Sequence, residues 1–293
     1  MNFFPYGFSK EEVYKQLVEV EDIIYFAIFL IPLILCNAVI RLVHYLIFED
    51  NKKQRDSNSL FPLFVQSTQF SHRLMTLIHI IFFLHNICHI FHMEWLVDVL
   101  WYPMWINAYL IKVYTEIYIV VISLLSVSRY FVHFSLALPS VELTQKSVTS
   151  EIRWIAGLII SKDLVLFLWL IVIMELKKFH QIHTILDYYY GIHLNYQFLL
   201  YIAAIIQLPI ISGAKKSSDS EINYLEKMVC FQTVGIGFIK MSMIPIFLTL
   251  LFKGVNDTVI SVLFVMVDLF IVPIVAQISE FLYRPRAAVA TQA

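Results

Sequence analysis

The chain has 293 residues, of which 59% are hydrophobic and only 15% charged. A soluble globular chain carries about 25% charged residues, and with a mean hydropathy of +0.75 this one can expose little surface to water. A formal net charge of −1 gives no reason to invoke nucleic acid, and 7 glycines against 24 phenylalanines argue against a low-complexity or linker protein.

Residues 1–22 mix Lys10 and Lys15 with Glu11, Glu12, Glu19, Glu21 and Asp22. That pattern lacks the basic start, short apolar run and small-residue cleavage site of a signal peptide. It reads as an extracellular N-terminus followed by an uncleaved anchor. Seven long apolar stretches then follow. A span needs roughly 20 mostly apolar residues to cross about 30 Å of hydrocarbon. The candidates are 23–48, 74–91 (preceded by the half-polar stretch 60–72), 101–134, 152–176, 194–212, 228–252 and 259–283. Each must satisfy its own backbone hydrogen bonds in lipid, so helices are expected throughout. The expected architecture is an all-α membrane protein: a seven-helix transmembrane bundle forming one domain over residues 23–283, with a tail at 284–293.

Orientation follows from the basic residues of short loops. Lys52, Lys53, Arg55, Arg129, Lys146, Arg153, Lys215, Lys216, Lys227, Arg284 and Arg286 fall on one side, eleven in number; Lys10, Lys15, Lys177, Lys178 and Lys253, five, fall on the other. The richer side is expected to be cytoplasmic, which places the N-terminus outside and the C-terminus inside. Asn256-Asp257-Thr258 is a glycosylation sequon in the last outer loop, weakened by its closeness to the membrane. The cysteines Cys36, Cys88 and Cys230 all sit in apolar segments, so a disulfide framework is not expected.

Ionisable residues lie deep inside the spans: Lys112, Glu116, Lys162, Asp163, Lys240 and Asp268. Such a group costs about 2.5–3.5 kcal/mol at mid-bilayer even on the insertion scale. They must therefore face the interior and pair, and the balance of positive and negative charge allows it. Depth counting puts Lys240 and Asp268 near the midplane on neighbouring helices. Lys112 and Glu116 are i,i+4 neighbours on one face. Lys162 and Asp163 point about 100° apart, so one is expected to meet the third span while the other turns elsewhere. These charges either line a ligand cavity or fix helix register as buried ion pairs.

His85, His89 and His92 fall at about 0°, 40° and −20° on a helical wheel, with His79 off that stripe. One stripe rarely supplies a whole metal site, so neither a metal nor another cofactor is expected. Pro32, Pro209, Pro245 and Pro273 punctuate the first, fifth, sixth and seventh spans and can bend them.

At the inner end of the third span stands Ser128-Arg129-Tyr130. With seven spans and the N-terminus outside, this resembles the heptahelical G-protein-coupled receptors, matching the last two positions of their Asp-Arg-Tyr motif. The run Ser128 to Phe134 followed by Pro139, the segment Leu208-Pro209-Ile210-Ile211-Ser212 followed by Lys215-Lys216, and Val272-Pro273 through Ser279 resemble the nematode serpentine chemoreceptors, class Z in particular. Ser128 replaces the acid that would hold Arg129 at rest. The outer disulfide of rhodopsin-like receptors is absent, and Asn-Pro-x-x-Tyr is reduced to Pro273.

The resemblance implies a chemosensory receptor in the cell membrane, or the membrane of a sensory cilium. It would bind a small environmental molecule and signal through a heterotrimeric G protein. Tyr109, Lys112, Glu116, Lys240, Met243 and Asp268 are the expected pocket residues, with Tyr188, Tyr189 and Tyr190 as a lid in the second outer loop. Arg129, Tyr130, Lys215 and Lys216 are the expected G-protein contacts. A small transporter or channel using the buried charges as a relay is the alternative. An enzyme is not expected, because no His-Glu-x-x-His, Gly-x-Ser-x-Gly or paired-aspartate motif is present.

Overall fold

The computed structural model describes residues 28, 31–40, 42, 61–134, 145–176, 182–214, 224–255 and 257–283. Lys215, Lys216, Asn256, the loop 49–59 and both termini lie outside the described residues, and Arg129 is placed by its backbone alone. The described elements are all helical: α1 (Ile31–Ile40), α2 (Phe61–Ile90), α3 (Glu94–Phe134), α4 (Gln145–Glu175), α5 (Ile182–Ala214), α6 (Tyr224–Phe252) and α7 (Asp257–Tyr283). From α2 to α7 each is long and apolar enough to cross a membrane, while Ile31–Ile40 is a shorter apolar helix.

Several helices begin earlier than the hydropathy pattern suggests. The half-polar stretch before Leu74 continues α2 back to Phe61, α3 starts at Glu94, and α5 starts at Ile182 rather than near 194. The backbone ladder does not stop where apolar character does, because a turn of polar helix at the interface still satisfies its own hydrogen bonds. α3 reaches 41 residues, about 60 Å at about 1.5 Å per residue, twice the hydrocarbon thickness.

The turn between α2 and α3 shows how a helix stops without glycine. Met93 N–H donates to Cys88 O at 2.9 Å and His92 N–H to His89 O at 3.1 Å. This is a Schellman closure, with His92 left-handed at φ 54. The same closure ends α6, where Val255 N–H donates to Leu250 O and Gly254 N–H to Leu251 O. There the left-handed residue is Gly254, at φ 80. His92 therefore lies outside α2, and the expected histidine stripe loses its last member. His85 packs edge-on against Trp101, with ring centroids 5.3 Å apart.

α3 is the hub and packs on α2, α4, α5, α6 and α7. α7 is the other interior helix, with 78% of its membrane window buried, whereas α4 has only 6%. The apolar core joins Phe64, Ile119, Ile122, Leu200, Ile236, Val267 and Val272 from α2, α3, α5, α6 and α7. α4 instead shows Trp154, Leu158 and Val165 outward. In lipid an apolar outer face carries no penalty, so association rests on close packing and polar contacts. α6 provides the close packing. A Cβ on Gly235 would sit 3.3 Å from Val275 Cγ1 of α7, and one on Gly237 would sit 3.0 Å from Ala204 Cβ of α5.

Candidate functional site: a buried charge network and a neutral polar layer

The charged residues of the spans meet near the middle of their helices. Lys112 Nζ lies 2.5 Å from Asp163 Oδ2 and 3.3 Å from Glu116 Oε2. Lys162 Nζ lies 3.0 Å from Glu116 Oε2 and 3.2 Å from Asp163 Oδ1. The result is a closed ring of alternating sign between α3 and α4. Both Lys162 and Asp163 therefore face α3, against the expectation that one would turn away. The long lysine stem swings its ammonium across the roughly 100° between adjacent helical positions. With so little of α4 buried, this ring is its main polar attachment to the bundle.

From the ring the network runs inward. His193 Nδ1 faces Glu116 Oε1 at 3.4 Å, and His193 Nε2 faces Asp268 Oδ2 at 2.9 Å. Gln197, one turn along α5, donates from Nε2 to Asp268 Oδ2 at 2.6 Å and accepts from Lys240 through Oε1. Lys240 Nζ and Asp268 Oδ1 are 2.5 Å apart, so the expected partnership across α6 and α7 is present. Truncating one member of a buried pair leaves an uncompensated charge and costs about 3–5 kcal/mol. That penalty explains why every ammonium here touches a carboxylate.

Aromatic rings wall the cations. The Tyr189 ring lies 5.2 Å from Lys112 Nζ and 5.3 Å from Lys162 Nζ. Tyr196 lies 5.3 Å from Lys162, and Phe264 lies 5.2 Å from Lys240. Access is graded along the network. The side chains of Lys112 and Lys162 are 11% exposed and that of Asp163 9%, while those of Glu116, His193, Lys240 and Asp268 are 1–3% exposed. The ring is thus the open end and the Lys240–Asp268 pair the sealed end.

Of the expected pocket residues, Lys112, Glu116, Lys240 and Asp268 come together. Tyr109 stands half-exposed at the rim, 5.8 Å from Lys112 Nζ, and Met243 packs against the apolar core. Tyr188, Tyr189 and Tyr190 lie within α5, not in a loop, and Tyr189 reaches the ammoniums. His193 and Gln197 had no place in the sequence reading. His193 fell one residue outside the span drawn from hydropathy, and Gln197 carries no charge to flag it.

Nearer the end of the bundle that carries Arg129 lies a second polar layer, built mostly of neutral groups around buried Glu280 on α7. Ser126 Oγ and Thr233 Oγ1 are 2.9 Å apart, and Gln207 Nε2 donates to Ser126 O at 3.3 Å. Gln232 Nε2 donates to Ser279 Oγ at 2.5 Å. Among the described residues, Gln277 is buried in α7 with neither amide atom hydrogen-bonded, and Ser123 Oγ and Gln207 Oε1 also lack partners. Tyr130, one residue past Arg129, is half-buried. Among the described residues no group of three or more His, Cys, Asp or Glu side chains is placed to hold a metal ion.

The family model described as serpentine type 7TM GPCR chemoreceptor Srz matches residues 27–282, nearly the whole chain. No curated protein and no solved structure matches.

Proposed function

The chain belongs to the Srz family of serpentine 7TM GPCR chemoreceptors, and from that premise we propose that it is a sensory receptor for a small environmental molecule, signalling through a heterotrimeric G protein. The observation that carries this reading is the network at mid-depth. It joins α3, α4, α6 and α7 through side chains of opposite charge, with His193 and Gln197 of α5 bridging between them, and its open end is walled by tyrosines. A ligand entering beside Tyr109 meets Lys112, Asp163 and Tyr189 first, and any exchange of ionic partners there is felt at Lys240 on α6. To activate, the ligand must bind the active arrangement more tightly than the resting one. In that arrangement α6 moves outward and Arg129 and Tyr130 meet the G protein, with Lys215 and Lys216 adding basic charge. The excess of basic residues on one side supports an outward N-terminus and a cytoplasmic Arg129. Membership of a chemoreceptor family gives the transporter reading no support.

The test is a panel of small molecules applied to cells that express the chain, with a calcium or cyclic-nucleotide readout. For any active compound, Arg129→Ala is expected to abolish the response while surface expression stays at the wild-type level. A full response from the surface-expressed variant would overturn the proposed coupling.

A further inference from the structure

A cavity of about 320 Å3 is lined by residues of α2, α3 and the start of α4. Its walls include Phe64, Phe70, Tyr114, Tyr118 and Ile152. No lining side chain is ionisable except for these phenols; the polar groups of its wall are Gln66, the Tyr118 hydroxyl and a hydroxyl pair, Ser67 Oγ donating to Tyr114 OH at 3.2 Å. Phe70 is 49% exposed at the lip. α2 and α4 each pack on α3 but not substantially on one another, which leaves the groove between them open toward the lipid.

We infer that this groove is a binding site for a neutral lipid alcohol, a single apolar body carrying one hydroxyl, that enters from the bilayer. Size limits the occupant. Ligand pockets run from about 300 to 1,000 Å3, so this one suits a single hydrocarbon body and is small for a two-chain phospholipid. Chemistry limits it further. A buried charge without a partner is costly in hydrocarbon, and no charged side chain lines the groove, so a neutral head group fits it best. The Ser67–Tyr114 pair supplies donor and acceptor for one hydroxyl, and aromatic rings line the space for the body. Tyr114 stacks on Tyr118, ring centroids 5.5 Å apart. The carboxylate of buried Glu280 on α7 lies within electrostatic reach of both phenols. The groove thus backs onto the layer next to Arg129, so an occupant is placed to bias coupling without touching the charge network.

The experiment uses the full chain in phosphatidylcholine nanodiscs with a photoreactive long-chain alcohol. Labelling is expected to concentrate on the α2 segment around Ser67–Phe70 and to be competed by unlabelled alcohol. Ile117→Trp, which fills the groove, should remove that labelling. Tyr114→Phe keeps the ring and should weaken labelling about fivefold, the loss of one neutral hydrogen bond, in a variant that still folds. Labelling spread evenly over outward faces such as Leu158 and Val165 would overturn the inference. So would undiminished labelling of a folded Tyr114→Phe, or competition by phosphatidic acid stronger than by the alcohol that is lost in Arg153→Ala.

Discussion

The mid-depth network and the layer near Arg129 are both buried and both polar, yet they are built on opposite terms. In the first, every ammonium has a carboxylate within 2.5–3.3 Å. In the second, neutral groups surround one buried acid, Glu280, and among the described residues several amide and hydroxyl atoms have no partner. A buried charge cannot be left unmatched, so the network admits few arrangements and fixes the register of α3 to α7. A neutral amide left unmatched costs only about 1–3 kcal/mol, so the second layer has alternatives of similar energy. Under the proposed function, sensing falls to the tightly specified layer and movement to the loosely specified one.

The contrast can be broken most forcefully at Asp268. Asp268→Ala strands Lys240 and leaves His193 and Gln197 without their shared acceptor. It should cost about 3–5 kcal/mol, read as loss of surface expression and of the folded fraction in detergent. Wild-type expression of this variant would mean that the network is not the specifying layer. Gly237→Val tests the close approach of α6 to α5. With Ala204 Cβ only 3.0 Å from the position of a Cβ, overpacking should cost about 1–3 kcal/mol, seen as a lower melting temperature. Gln277→Leu probes the loose layer and should stabilise by about 1 kcal/mol, since it removes buried amide groups that bond to nothing. A loss of stability there would show that the two layers obey the same rule. The smallest change is expected at His92→Gly, far from both layers. It relieves a left-handed non-glycine residue and should add about 1 kcal/mol of stability.

Much of the first layer is legible in the sequence, because a charge inside an apolar span is conspicuous. Lys240 and Asp268 were placed opposite one another by depth counting alone, and Lys112 with Glu116 by helical spacing. Geometry around the helix axis was harder to read. The direction of Lys162 depends on where a flexible four-carbon stem ends, not on where its Cβ points. His193 was hidden because the hydropathy pattern started the fifth span too late, and the same error turned Tyr189 into a loop residue. The second layer left almost no trace, since serine, threonine and glutamine are common enough in membrane helices to pass without notice. The lipid-facing groove depends on how α2 and α4 diverge around α3, which no local pattern of residues encodes.

The exchange of charges between α6 and α7 tests the central claim most directly. Lys240→Asp and Asp268→Lys are each expected to lose surface expression, and the double variant carrying both is expected to recover it. A double variant that stays as depleted as the single ones would contradict the account, because the two side chains would then not be the partners that close the network.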